Sequence, residues 1–406
     1  MAHRWQPDLI NLDFPGVFRH VYAKKRRQLR LQAAINGMMF FLCRGPLRTK
    51  RRRSRWVYQA TLQLSSLIER PLSLYGGFDY VQIDSLFGDR DTGQAFFRVR
   101  DAVQLKYLAA EILQLPDMVR GLTSRYCAPR NDAMAVFLAR LAAPSRLVDL
   151  KRKLALNWST GKLSSIINAV GMHLYRRFKR IIRLDLRWFS LARCQAYAAA
   201  MAAKGSILQT LIGFFDGVTY EICRPSARVQ RCMYSGHKKH HCYREQALVL
   251  ANGLIVSMFG PYKGASNDQE LLNWSRILPI LDQALPPTYL FYGDKGYTVT
   301  ANTPRLVVPF KGIAAQAGQG QFFNARMSKL RVTVEWPFGA KGFGIKSEYA
   351  FFQQRKVSAV SPIWLYWACS TLLLNVMTCL EGKAHNQVAR YFGLHPPTID
   401  EYMQGI

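Results

Sequence analysis

Acidic side chains are scarce in this chain: 25 Asp and Glu face 56 Lys and Arg, and the formal charge is +31. A folded protein with that balance points to a polyanionic partner, nucleic acid first. A membrane surface would ask for the charge in one juxtamembrane cluster or on one helix face, whereas here it is spread along the sequence. The opening MAHRWQPDLINLDF lacks the unbroken apolar core of a secretory signal, being interrupted by Pro7, Asp8 and Asp13, so the expected location is inside the cell. The eight cysteines have no framework spacing, which predicts reduced, mostly buried thiols and no disulfides. No repeat of 20 to 50 residues is visible. One long uncharged run, IWLYWACSTLLLNVMTCL from Ile363 to Leu380, approaches the length of a membrane span. Ser370, Thr371, Asn375 and Thr378 within it favour a buried helix.

What is abundant is apolar: 49% of residues are hydrophobic and 12% aromatic, enough for two or three packed units. Residues 1–60 form a basic arm, with 14 Lys and Arg against Asp8 and Asp13. Its two densest runs contain Lys24, Lys25, Arg26 and Arg27, then Arg51, Arg52 and Arg53. Such runs read as a nuclear localisation signal, a DNA-gripping arm or a solvated tail, and the nucleus is the expected compartment if the source is eukaryotic.

From about Gln94 the texture is helical. Asn131 and Asp132 are expected to cap a helix through Leu141, Pro144-Ser145 opens another to about Leu154, and Thr160 caps a third. In the third, Leu163, Ile166, Ile167, Val170 and Leu174 make one apolar stripe, leaving Lys162, Ser165 and Asn168 on other faces as candidate DNA contacts. Three short helices over 131–180 fit a helix-turn-helix unit, and equally any small helical bundle.

Beyond Gly205 short β-rich runs take over: 208–215, 247–251, 254–259, 289–292 and 305–310. A helix is expected over Asp268 to Leu281, and another from Asn324 through Glu335, with Val332 and Trp336 facing the core. Asp216 follows LIGFF and Asp294 follows YLFYG, so both are expected where apolar strands end, at the kind of crevice where α/β sheets bind ligands. If folding gathers them with Glu335, three carboxylates repel one another and call for hard divalent cations, Mg²⁺ or Mn²⁺. Two such ions suit phosphodiester cleavage. The plain alternatives are two Asp-Gly turns and an Arg331–Glu335 helix pair.

Four stretches, FFDGVTYEICRP (214–225), 231–268, YLFYGDKGY (289–297) and FFNARMSKLRVTVEWPFG (322–339), together resemble the DDE-type endonucleases of the PIF/Harbinger transposase superfamily. The resemblance implies an α/β, RNase H-like mixed-sheet catalytic domain at 206–382. It would be preceded by a helical, helix-turn-helix-like part at 94–205 and followed by a tail at 383–406. It implies catalysis by Asp216, Asp294 and Glu335 on two divalent metal ions, with Asp268 as a further ligand candidate. Cleavage of DNA at element ends and joining of 3′ hydroxyls to target DNA would follow. Implied partners are DNA, a separate DNA-binding protein and a second copy of the chain, with no membrane. One departure stands out: a single residue, Ala340, separates Gly339 from Lys341, where many members have two.

Cys232, His237, His240, His241 and Cys242 are zinc-type ligands, but their spacing is not that of a familiar finger. The segment reads better as a basic loop whose Lys238 and Lys239 contact phosphate, and Arg331 is a further DNA-contact candidate. A domesticated or decayed transposase that binds DNA without cutting it remains the alternative. An RNA-processing nuclease would share the metal chemistry, but no aromatic single-strand platform is recognisable.

Overall fold

The computed structural model describes residues 79–406 apart from 89, 123–124, 144, 301–302, 317 and 354–361. The basic arm and its candidate localisation residues, Lys24 to Arg27 and Arg51 to Arg53, lie outside the described residues. Residues 78–406 pack as one compact unit.

After a short helical turn at Ile83–Leu86, the helical part continues with α1 (Arg90–Phe97) and α2 (Ala102–Tyr107), and a ribbon of β1 (Met118–Arg120) and β2 (Cys127–Pro129) follows. Then come α3 (Arg130–Ala142), α4 (Leu147–Lys153), α5 (Thr160–Arg183) and α6 (Leu191–Ala203). The three helices expected over 131–180 are therefore present, with different caps: α3 starts behind Pro129, and Ser159 caps α5 by accepting from Lys162 N at 3.1 Å.

The stripe of α5 is buried as expected, but its flank is buried too. Helix α5 packs against α3 on one side and against the long apolar helix Ile363–Glu381 and the sheet on others. Ser165 and Asn168 are 5% and 4% exposed, and Asn168 Oδ1 accepts from Tyr366 Oη at 2.7 Å. The reading of these two as DNA contacts is thus corrected: a helix hemmed in on several sides turns small polar residues inward and satisfies them there. Lys162 is half-buried, its Nζ 4.1 Å above the Trp158 ring.

The main sheet is built from β3 (Leu211–Glu221), β4 (Tyr234–Ser235), β5 (His240–Leu250), β6 (Ile255–Lys263), β7 (Leu290–Tyr292) and β8 (Leu306–Val307). Across it the strands run β6-β5-β3-β7-β8, with the short β4 also paired to β5. The first three are antiparallel hairpin neighbours, while β7 and β8 run parallel to β3. Three antiparallel strands with two more laid parallel beside the first is the RNase H-like arrangement. The LIGFF start of β3 is buried on both faces because α6 covers one side, so the strand reads as continuous apolar sequence instead of alternating.

Between β6 and β7 lie α7 (Asp268–Ser275) and α8 (Ile277–Ala284), broken at Arg276, whose φ of +50° interrupts the single helix expected there. After β8 comes α9 (Gly318–Arg331), and α10 (Ile363–Glu381) closes the core. Helix α10 is long and apolar enough to cross a membrane by composition, yet 94% of its apolar window is buried inside this structure. Asn375 explains one polar residue in that run: it accepts from Ile255 N at 3.0 Å and donates to Ile255 O at 2.8 Å, pinning α10 to β6. Replacing Asn375 by Leu strands both backbone groups, and a loss of about 1–3 kcal/mol in urea unfolding is expected. An unchanged midpoint would mean that the pin is dispensable.

Candidate active site

The parallel register of β3 and β7 pairs Phe214 with Tyr292. Asp216 and Asp294 each lie two residues further along, so both carboxylates emerge just past the point where this parallel pair stops. Asp216 is not at a strand end outright: on its other side β3 continues to Glu221, with Asp216 opposite Ala247 of β5. One edge of β3 is thus still paired at Asp216 while the other has opened, and the crevice forms on the open edge. Gly296 N donates to Asp294 Oδ1 at 2.8 Å, fixing that carboxylate in its turn.

Glu335 does not continue the α-helix as expected. Helix α9 ends at Arg331, and Val332–Phe338 is a 3₁₀ turn with Pro337 inside it. Tightening the period toward three residues per turn re-aims the side chains. Thr333, Val334, Pro337 and Phe338 are buried, whereas Val332, expected in the core, is 41% exposed. Glu335 is exposed, and Arg331 links it to the sheet: Arg331 Nη2 donates to Glu335 Oε1 at 2.9 Å and Nη1 to Asp216 Oδ1 at 3.5 Å.

Asp268 is drawn into the same place. A Cβ on Gly217 would lie 2.0 Å from its Oδ1, and one on Gly296 would lie 2.9 Å from its Oδ2. The two glycines beside Asp216 and Asp294 thus admit a fourth carboxylate, which Arg244 Nη2 meets at 2.5 Å. Burial pushes Asp216 up to about 7; Arg331 opposes that shift, and the charges of Glu335, Asp294 and Asp268 add to it. Asp268 is also raised, by burial first, against the pull of Arg244.

This donor set, carboxylate oxygens alone around one end of the sheet, has the chemistry of a site for hard divalent cations. Among the described residues no three His, Cys, Asp or Glu side chains close into an ion cage, and at the acid cluster the Arg331 guanidinium stands between Asp216 and Glu335. An arginine there supplies part of the positive charge that the carboxylates require.

The remaining predicted residues are placed as follows. Lys238 and Lys239 are exposed in the turn between β4 and β5, and Lys238 is near enough to Asp268 to pull its pKa down. Of the zinc-type residues, Cys242 is buried, Cys232 donates to Val229 O, and His240 lies 3.7 Å from Glu221.

Two clefts meet at the Arg331–Glu335 pair. One, of about 490 Å³, runs past Lys295, Lys311 and Asn324 to Arg331. The other, of about 630 Å³, runs from Glu335 past Trp336 and Lys341 to Gln387, Arg390 and Tyr391. Arg244, Lys311, Arg390 and Tyr391 escaped the sequence reading because each meets the site only through tertiary folding; a basic or aromatic residue in a loop or short helix leaves no local signal.

Residues 215–375 match the family model described as DDE superfamily endonuclease, a stretch that contains Asp216, Asp268, Asp294 and Glu335. Among solved structures, one titled the crystal structure of a pre-cleavage Mos1 transpososome is 14% identical, covering 57% of this chain and 71% of that chain. The TM-score of that match is 0.18. No curated protein matches the sequence.

Proposed function

We propose that this chain, whose residues 215–375 carry the pattern of the DDE superfamily endonucleases, is a metal-dependent DNA endonuclease of the transposase type, in line with its resemblance to PIF/Harbinger transposases. The observation that carries this reading is the convergence of Asp216 and Asp294 just past the β3–β7 pair, with Glu335 tied to Asp216 by Arg331.

Asp216, Asp294 and Glu335, with Asp268 as a further candidate, would hold two divalent cations, Mg²⁺ or Mn²⁺, whose bound chemistry is to polarise the phosphodiester and acidify an attacking water. Water oxygen then bonds to phosphorus, the bond to the 3′ oxygen breaks, and a 3′ hydroxyl and a 5′ phosphate remain. In the joining step that 3′ hydroxyl oxygen bonds to a phosphorus of target DNA, the target's own bond from that phosphorus to its 3′ oxygen breaks, and a target 3′ hydroxyl leaves with the proton. Arg331 must leave one of its two carboxylates for the full acid set to face cations, and its free guanidinium can then pair with a backbone phosphate. Lys162, Lys238 and Lys239 offer further phosphate contacts. A separate DNA-binding protein and a second copy of the chain belong to the same proposal.

Arg331 also favours a second reading. An acid cluster neutralised from within suits a DNA-binding relic that no longer cuts. Nicking of supercoiled plasmid in Mg²⁺, Mn²⁺ or EDTA separates the two: metal-dependent nicks support the nuclease, while salt-sensitive binding with no nicks in either metal supports the relic.

Nuclear residence is proposed from the basic runs. A fluorescent fusion with Arg51, Arg52 and Arg53 changed to Ala is expected to spread into the cytoplasm, and unchanged nuclear signal would remove that run as the address.

A further inference from the structure

The larger cleft has a composition that the catalytic reading does not use. Its wall beside Glu335 carries two aromatic rings, Trp336 and Tyr391, with centroids 5.5 Å apart and planes at 87°. Two exposed cations, Lys341 and Arg390, line it as well. The wall is built, not incidental. Gly342 has a φ of +67°, a backbone conformation that favours glycine, and the end of the Gln387 side chain lies against it, so the loop bearing Lys341 seats closely on the helix Gln387–Phe392. That helix is held in turn by Asn386, whose Oδ1 accepts from Ala389 N and whose Nδ2 donates to Gly253 O, both at 3.0 Å.

At about 630 Å³ the cleft falls within the roughly 300–1,000 Å³ of small-molecule sites. Aromatic rings beside cations are the chemistry of a single-stranded nucleotide: the base has an apolar face to lay on a ring, and its phosphate takes the charge. A paired base inside a duplex offers neither face. The cleft also abuts the cation-lined cleft of Lys295 and Lys311 at the Arg331–Glu335 pair, so a DNA strand threading the acids would leave one nucleotide in it.

We propose that the Trp336–Tyr391 cleft binds one unpaired nucleotide of the DNA strand next to the scissile phosphate, its base against the aromatic rings and its phosphate on Lys341 and Arg390. This rests on the nuclease reading of the neighbouring acids, and supplies the aromatic platform that was not visible in the sequence. The cleft thereby selects DNA whose strand is frayed or extruded at the cutting point.

The test uses the whole chain in EDTA, where nothing is cut, and two short DNA duplexes. One is blunt, and the other ends in a single unpaired 2-aminopurine at its 3′ end. The wild type is expected to bind the overhang tighter than the blunt duplex by roughly 5- to 150-fold, and to quench the 2-aminopurine. Tyr391→Leu and, independently, the exposed Arg390→Ala are expected to lose that preference while still binding the blunt duplex. Since Arg390 is exposed, its variant keeps the test sound if Tyr391→Leu fails to fold. Equal wild-type binding of both duplexes overturns the cleft proposal and leaves the nuclease reading standing. Binding of neither overturns both.

Discussion

Asp294→Asn is expected to abolish metal-dependent nicking, a fall of about a hundredfold or more, while leaving salt-sensitive DNA binding as it was. The amide has the size of the carboxylate, and its oxygen can still accept from Gly296 N, so the turn after β7 survives. What disappears is the negative charge and one hard oxygen donor at the open edge of β3. Affinity for DNA depends on exposed cations, which the substitution does not touch. If cutting persists at the wild-type rate, Asp294 does not hold a catalytic ion and the three-acid site is wrong. If binding falls together with cutting, the change has damaged the fold and says nothing of the chemistry.

Asp216→Asn is expected to make the protein more stable at pH 8 in EDTA. The folded chain holds Asp216 at about 7, above the ordinary 3.8, chiefly through burial. The folded state therefore favours the protonated acid. Stability associated with that proton is full below about 3.8 and is lost as pH rises through about 7. Above pH 7 the ionised carboxylate costs at most about 4 kcal/mol, since each pKa unit corresponds to about 1.4 kcal/mol. Its side chain is 17% exposed, which screens only part of this. The neutral amide removes the cost, so the gain should be largest in urea unfolding at pH 8 and shrink toward zero at pH 4. A variant no more stable than wild type at pH 8 would show that Arg331 already balances the charge. Adding Mg²⁺ should stabilise the wild type and not this variant, because only binding to the folded state shifts the equilibrium.

The placement of Asp216 and Asp294 beside one another was legible because each follows a short apolar run whose neighbours dictate it. LIGFF before Asp216 and YLFY before Asp294 are strands of a buried sheet, and the glycines after them mark where the chain must admit something close. The sheet was legible for the same reason, apart from its exact ends. Ser165 and Asn168 were misplaced because helical periodicity identifies the most apolar stripe and is blind to further covering elements; only the fold brings Tyr366 of α10 over Asn168 and the β1–β2 ribbon over Ser165. Val332 was misplaced because the period shortens at Arg331, a change that Pro337 allows but does not announce. The Arg244–Asp268 pair joins residues on different strands and helices, and no local pattern records it.

The order in which the chain is made gives α10 a second meaning. All four acids are translated before it, yet the sheet that aligns them is pinned by Asn375, whose Nδ2 also donates to Tyr402 Oη at 3.2 Å, and Tyr402 stacks on Trp188 from the helical part. A ribosome that has passed Glu335 has therefore written all four acids but not the helix that pins their sheet. Messages cut short between Glu335 and Tyr402 are expected to yield a chain that keeps every acid codon and cannot hold the acids together, so a frameshift late in the gene should undo the site as surely as the loss of an aspartate.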